Sequence, residues 1–431
     1  MYDLTDEQFE NVYESEWNVA FFNVQQCVPA VLNGLLPLFL RLFGLTLLQT
    51  LIFRIKRHTF SNLVVAISAF YLLTYQLDKK WMIFIPILYY CISTIVDEWL
   101  MARKERGPVS IILAILYIVA WQAQLDAVYF MQIRGSLMIM AMKLISFAYE
   151  NENCSITDKI AYIFNPSTVL FGPFINFKTF RKILLAPNNL FHAGFMSIIY
   201  AGLSVFCVLY STCFAEIIPK SPELLGDYSA AQSYRFSHYF ICYISLATIL
   251  LSGITTSYQT TKLSAVEFPR SMGEVVVHWN YSMHEFLHKY VFKQLISYGY
   301  FVAIVGSFLM SSLLHGFNFQ LTAVLISLAF YAYAENIFRS KLAQKLNACV
   351  KSRDCSDKCA HSNKKLSVLA FTINSLFMLL NIYHLIYLGM PFDGTAEEEG
   401  YSWYHTVRHW QRWNFSSHII SLAVLFLGFL I

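Results

Sequence analysis

Apolar runs of about twenty residues, parted by short stretches that gather most of the charge, fill this chain from end to end. That pattern suits one solvent. About 20 mainly apolar residues are needed for a helix to cross the hydrocarbon core of a bilayer. Inside lipid, only helices and closed barrels satisfy every backbone N–H and C=O. Barrel strands alternate with period two, whereas runs such as Ser110–Leu125 and Phe415–Ile431 are apolar without alternation. The chain therefore reads as an all-α, polytopic integral membrane protein. Eleven segments qualify as spans: 28–53, 60–77, 81–100, 109–125, 128–148, 193–217, 236–256, 297–314, 319–337, 367–389 and 414–430. Only 13% of the residues are charged, against about 25% in a soluble domain. No stretch is long and polar enough to make a separate soluble domain. A net charge of +4, with no basic patch interleaved with aromatics, gives no sign of nucleic-acid binding.

Loop charges give the spans a direction, because Lys and Arg favour the cytosolic side. Arg54, Lys56 and Arg57 follow the first span, and Arg103, Lys104 and Arg106 follow the third. Lys178, Arg181 and Lys182 precede the sixth, and 338–366 holds eight more basic residues, from Arg339 to Lys365. An odd number of spans puts all these loops on one side, with the C-terminus. The N-terminal segment 1–27 and the loop 390–413 then face the lumen. Both are acidic, with Asp3, Asp6, Glu7, Glu10, Glu14 and Glu16 in the first and Asp393 and Glu397–Glu399 in the second. That acidic start is the reverse of a secretory signal, so the spans themselves must target the chain. Lys79, Lys80, Arg408 and Arg412 oppose this orientation and are outnumbered.

Two stretches break the pattern. Residues 160–177 contain Asn165-Pro166 and Phe171-Gly172-Pro173, and 257–296 is moderately polar and rich in His. Non-helical backbone at membrane depth survives only buried in protein or lining a cavity, so both read as short or re-entrant elements near a site. His315, in Ser312-Leu313-Leu314-His315-Gly316-Phe317, ends an apolar span. An imidazole can take a proton near neutrality, and an ionisable residue in a span is a functional candidate. The alternative is an interfacial histidine bonded to a neighbouring helix. Gly316 beside it removes a side chain and would let a substrate approach. Asn280 offers an amide donor to a carbonyl oxygen gaining charge, or else caps a helix. Arg270 suits phosphate groups of a carrier, or else lipid headgroups. Arg134 and Lys143 must face a cavity, a partner or the interface, and Lys143 can also snorkel.

Two motifs have metal-ligand spacing. His284-Glu285-Phe286-Leu287-His288 fits H-E-x-x-H, but zinc needs a third protein ligand, for which His278 is nearest. Cys349, Cys355, Cys359 and His361 follow C-x5-C-x3-C-x-H, which matches no common finger. Structural zinc and free or lipid-modified thiols both fit; a disulfide does not suit a cytosolic loop. The remaining cysteines lie mostly in apolar segments, where a small buried side chain is the default. No phosphate-binding loop, dinucleotide turn or G-x-S-x-G elbow is present, so a direct transfer with His as base is simpler than a serine nucleophile.

Together these motifs resemble the membrane-bound O-acyltransferase family. Arg134-Gly135 with Ala141-Met142-Lys143 resembles its inner helix, and Phe171-Gly172-Pro173 its loop motif. Val266-Glu267-Phe268-Pro269-Arg270-Ser271-Met272 with Trp279-Asn280 resembles its asparagine motif, and Ser312–Phe317 its histidine motif. Tyr290-Val291-Phe292-Lys293, the cysteine cluster and Leu385–Gly389 resemble the branch that puts palmitoleate on serine of Wnt proteins. The resemblance runs from about residue 128 to 431. It implies one membrane-embedded domain with a central tunnel and a catalytic core over 128–390. It also implies palmitoleoyl-CoA as co-substrate with no permanent cofactor, and a Wnt serine hairpin arriving from the lumen of the endoplasmic reticulum. His315 and Asn280 are then catalytic, and Arg270, Ser271, Trp279, Ser312 and Gly316 bind substrate. His278 stands before Trp279 where the family pattern leads one to expect a small polar residue. The competing readings are a lipid acyltransferase acting on a lysophospholipid or sterol, and a transporter or receptor, although no internal repeat of the transporter kind is present.

Overall fold

The computed structural model describes residues 6–54, 58–100, 104–152, 154–185, 190–219, 221–253, 258–356, 359–394 and 401–431. Asp3, Lys56, Arg57, Arg103, Lys358 and Glu397–Glu399, used above for orientation, lie outside them. The helices in chain order are α1 (Asp6–Ile52), α2 (His58–Gln76), α3 (Phe84–Trp99), α4 (Arg106–Gln124), α5 (Ala127–Glu150), α6 (Ile156–Ile163), α7 (Phe177–Leu185), α8 (Leu190–Leu209) and α9 (Glu223–Leu251). There follow the short α10 (Leu263–Glu267), α11 (Met272–Trp279), α12 (Tyr281–Leu287) and α13 (Lys293–Leu295). The chain ends with α14 (Tyr300–Leu314), α15 (Phe319–Leu346), α16 (Val368–Gly389), α17 (Trp403–Arg412) and α18 (Ser416–Leu430). Among the described residues there is no sheet, only one isolated bridge between Ala348 and Asn363.

Each of the eleven expected spans is mainly helical over its described residues, but length and apolarity support fewer. Among the described residues seven helices qualify, and the α17–α18 pair, bent by 72°, makes an eighth if it is one span. The eleven-span count is therefore not confirmed. The shortfall has a physical reason. α14 has only 15 residues. α2 and α9 turn polar groups inward, among them Ser61 and Asn62 on α2 and Gln232, Arg235 and Thr248 on α9, all buried. A helix wrapped by protein need not be apolar on every face. The outer helices show the opposite pattern, with Ile95, Leu116, Ile198, Phe371 and Phe429 exposed to the surroundings, as a lipid solvent allows.

The contacts at helix ends fall into two sets. At one end Thr50 Oγ1 donates to Leu251 O (2.8 Å), Arg106 and Lys159 pair with Asp97 (2.6 and 3.5 Å), and Lys289 pairs with Glu150. At the other end Gln132 Nε2 donates to Asp78 (2.6 Å), Gln122 bonds Phe317, and Arg412 pairs with Glu223 (2.8 Å) and Asp227. The second set also holds a Cys27–Cys213 disulfide that joins α1 to the end of α8. These two cysteines depart from the small-buried-residue default.

Both irregular stretches are built into the interior. Lys143 is fully buried on α5, and its ammonium donates to Tyr162 O and Thr168 Oγ1 (both 2.7 Å) and Ile163 O (3.3 Å). It does not snorkel; it satisfies backbone that the Asn165-Pro166 break leaves without helical partners. The stretch from Tyr258 to Phe292 folds back against α9. Thr260 Oγ1 donates to Cys242 O (2.8 Å), and Glu267 takes Arg235 (3.0 Å) and Tyr239 (2.7 Å).

Candidate active site in the transmembrane cavity

One cavity of about 2070 Å³ lies inside the bundle. Its wall includes Ser352, Arg353 and Asp354 at one end of the helices and Asp393, His409 and Arg412 at the other. Between them it is lined by Arg134, Tyr234, His238, Trp279, Asn280 and His315.

His315 follows the last turn of α14, and its backbone N–H closes that turn on Ser312 O at 3.1 Å. The chain then reverses at Gly316, whose φ of +82° favours glycine. Gln122 clamps the turn from α4: its Nε2 donates to Phe317 O (2.7 Å) and its Oε1 accepts from Phe317 N (2.6 Å). Asn318 then caps α15 through Leu321 N (3.0 Å). The backbone at His315 is thus fixed between two anchored helix ends, and the residue lines the cavity, with Arg134 and His238 as its electrostatic neighbours.

Gly316 does not open space for a substrate. A Cβ there would meet Phe130 at 2.9 Å and Gln122 at 3.0 Å, so the glycine admits those two side chains. Ser312 also does not line the cavity; its Oγ lies 2.5 Å from Thr322 Oγ1 and ties α14 to α15.

Asn280 is where α11 ends and α12 begins. Its Oδ1 caps α12 through Met283 N (3.0 Å) and accepts from Ser282 Oγ (3.0 Å). Among the described residues no hydrogen bond uses its Nδ2, so the cap takes the oxygen and leaves the donor. The preceding Trp279 stacks on His238, with ring centroids 4.4 Å apart and planes 10° apart, and His238 Nε2 lies 3.0 Å from Trp279 O. Tyr234 continues the stack to Phe392, 3.9 Å away. His238 and Gln122 were absent from the sequence-based set. His238 had the same signal as His315, an ionisable group within an apolar span; Gln122 had none.

Arg270 and Ser271 are also on the wall. Ser271 is buried and caps α11 through Glu274 N (3.1 Å). The Arg270 guanidinium is already engaged on all three nitrogens: Nη2 donates to Cys349 O (3.0 Å), Nε to Lys351 O (3.4 Å), and Nη1 lies 3.4 Å from Asp354. It builds the rim of the cavity instead of offering an open phosphate clamp. Partial burial opposes the charge on Asp354, but the Lys365 hydrogen bond and the nearby Arg270 still hold its carboxyl below the usual range.

The H-E-x-x-H residues do not gather a ligand set. His284 and His288 stack 6.1 Å apart on the cavity wall, while His278 turns to Glu274 (4.0 Å). Two clusters do gather among the described residues. One is Cys349, Cys355, Cys359 and His361, and the other is Asp393, His405 and His409 at the opposite rim.

A half-buried imidazole and an uncommitted amide donor on one cavity wall can deprotonate a hydroxyl and steady a developing oxyanion. Comparison with known proteins points to acyl transfer. A model of the membrane-bound O-acyltransferase family matches residues 63–380. The protein-serine O-palmitoleoyltransferase porcupine of Homo sapiens is 30% identical over 391 residues, 81% of this chain and 84% of that one. The protein of the same name from Mus musculus gives the same figures, and that from Anopheles gambiae is 31% identical over 339 residues, 68% of each chain. The chain belongs to the membrane-bound O-acyltransferase family and is a multi-pass membrane acyltransferase.

Proposed function

We propose that this chain transfers palmitoleate from palmitoleoyl-CoA to a serine hydroxyl of a Wnt protein at the endoplasmic reticulum membrane. The observation that carries the proposal is one continuous cavity whose wall reaches both ends of the bundle with His315 and Asn280 between them. Such a cavity suits a donor and an acceptor that come from opposite sides. The names of the relatives supply the acyl group and the acceptor serine.

In the proposed mechanism the serine Oγ attacks the thioester carbon while His315 takes the hydroxyl proton. Asn280 Nδ2 donates to the carbonyl oxygen as it gains charge. The C–S bond then breaks, the new ester keeps the acyl group, and His315 returns the proton to the departing thiolate. Phe308 on α14 and Leu325, Leu328 and Ala332 on α15 line the cavity and provide an apolar bed for the chain. Arg353, held at the rim by the Arg270 contacts, is better placed than Arg270 to meet CoA phosphates. The catalytic core then lies within 128–390, with His409 and Arg412 added at the acceptor rim.

The orientation belongs to the same proposal. The rim with Arg353 faces the cytosol, the rim with Asp393 faces the lumen, the N-terminus is luminal and the C-terminus cytosolic. Two facts support it. The Cys27–Cys213 disulfide falls at the end assigned to the lumen, where disulfides persist. Three of the four opposing basic residues are also locally occupied: Lys80 donates to Thr74 O and Leu77 O, Lys79 sits over the Tyr129 ring, and Arg412 pairs with Glu223 and Asp227. In sealed microsomes, an impermeant maleimide should label Cys27 after reduction only when the vesicles are opened. Labelling in intact vesicles would reverse the orientation.

The transfer itself is tested with purified protein, labelled palmitoleoyl-CoA and a Wnt serine-hairpin peptide, with lysophospholipid as a competing acceptor. Peptide labelling is expected, and lysophospholipid labelling alone would replace this reading with a lipid acyltransferase. Asn280→Asp keeps the cap oxygen and removes the amide donor. It should lower kcat by about 100-fold, the size of a lost oxyanion donor, with thermal stability unchanged. Full activity in Asn280→Asp would remove Asn280 from the chemistry.

A further inference from the structure

We propose that Cys349, Cys355, Cys359 and His361 bind one structural zinc ion and that this knuckle holds the rim of the cavity in shape. The case is geometric. All four ligand atoms lie within 4.8 Å of one another. Cys349 Sγ lies 3.2 Å from Cys359 Sγ and 3.6 Å from His361 Nδ1, and Cys355 Sγ lies 3.7 Å from the same Nδ1. A tetrahedral zinc with Zn–S near 2.3 Å and Zn–N near 2.0–2.1 Å sets its ligands about 3.5–3.8 Å apart.

Hydrogen bonding alone explains the cluster poorly. Thiols are weak donors, and a single ring nitrogen faces two of them. A neutral Nδ1 cannot serve both as a donor, whereas a metal satisfies every member at once. The three thiols are free rather than paired in a disulfide. They differ in this from Cys27 and Cys213 at the opposite end of the helices.

The surroundings fit a closed structural site. Cys349 is buried and the other three ligands are half-buried. The ends of the knuckle are stitched together, with Cys349 N donating to Asn363 O (2.9 Å) and Asn363 N to Asn347 O (3.0 Å). Three thiolates, a neutral imidazole and Zn²⁺ carry a net charge of about −1. Lys364 answers it, bonded to Cys359 O and lying 3.8 Å from Cys359 Sγ.

The knuckle's backbone carries the rim. Cys349 O accepts from Arg270 Nη2 and from Asn374 Nδ2 (3.2 Å), and Lys351 O accepts from Arg270 and Arg339. A metal that fixes Cys349 and Cys355 therefore fixes where Arg270 and Arg353 stand. None of the four ligands lines the cavity, which suits a structural ion and not a catalytic one.

The test is elemental analysis of the full-length protein purified in detergent without chelator. About one zinc per chain is expected, as for a structural site, and the same from Cys91→Ser, which removes an exposed thiol elsewhere. Cys359→Ser and His361→Ala should each lose at least about nine-tenths of the metal. If those variants do not fold, wild-type protein is titrated with an organomercurial in the presence of a zinc-sensitive dye; zinc should appear as three thiols are consumed. His361→Cys should keep the metal and, with cobalt substituted, show a stronger thiolate charge-transfer band. Monodisperse wild-type protein carrying under about a tenth of an equivalent of zinc, or holding iron or lipid on these thiols, would overturn the assignment.

Discussion

Replacing His315 with alanine should lower peptide labelling by about 10²–10⁴-fold, the range for a general base, in protein that still folds and binds donor. The variant removes the imidazole and leaves its frame. Gln122 holds the turn through Phe317, and Asn318 caps α15, without using the His315 side chain. A structural role would show elsewhere, as a lower melting temperature or poor expression. His315→Gln sharpens the test, because it restores bulk and a donor but cannot take a proton. Under the proposal it stays as slow as alanine. Recovery to within a few-fold of wild type would make His315 a positioning residue and move the search for the base. His238 would then be next, since it also lines the cavity, although its Nε2 already lies 3.0 Å from Trp279 O.

The fold was legible wherever local composition dominates. Apolar runs gave helices at the expected places, and Asn165-Pro166 and the polar 257–296 stretch gave the two irregular elements. What stayed hidden depends on partners distant in sequence. Lys143 stood out as a cation among apolar residues, but the carbonyls it serves come from the broken stretch around Tyr162. Two anomalies in the sequence therefore resolve each other, and neither alone reveals it. Gly316 suggested open space because only its neighbours in sequence were visible; Phe130 and Gln122 fill that space from other helices. Asn280 read as a donor or, in the commoner role of a lone asparagine, as a cap. The geometry allows both, since the oxygen caps while the nitrogen faces other work.

Arg339 is the largest such case, and removing it should cost about 3–5 kcal/mol of stability, as for a broken buried ion pair. In the sequence it belonged to a basic loop that begins where the apolar run ends. In the fold α15 continues to Leu346, and Arg339 is 0% exposed. It pairs with Glu335 (2.7 Å) and donates to Val350 O (2.6 Å), Arg270 O (2.6 Å) and Asn374 Oδ1 (2.7 Å). Glu335 in turn holds the start of α11 through Met272 N (2.7 Å) and accepts from Asn381 (3.3 Å). Arg339→Ala leaves a buried carboxylate and three acceptors with no donor in their place. The expected result is a sharply lower melting temperature in detergent and a raised KM for the acyl donor, because the rim carrying Arg353 loosens. The double variant Glu335→Leu/Arg339→Met separates the causes. It removes the stranded charge, so it should recover most of the stability lost in the single variant, since apolar replacement of a whole buried pair is often near neutral. Equal losses in both would mean that the orphaned Val350, Arg270 and Asn374 acceptors dominate, and that the Glu335 charge is tolerated without its partner.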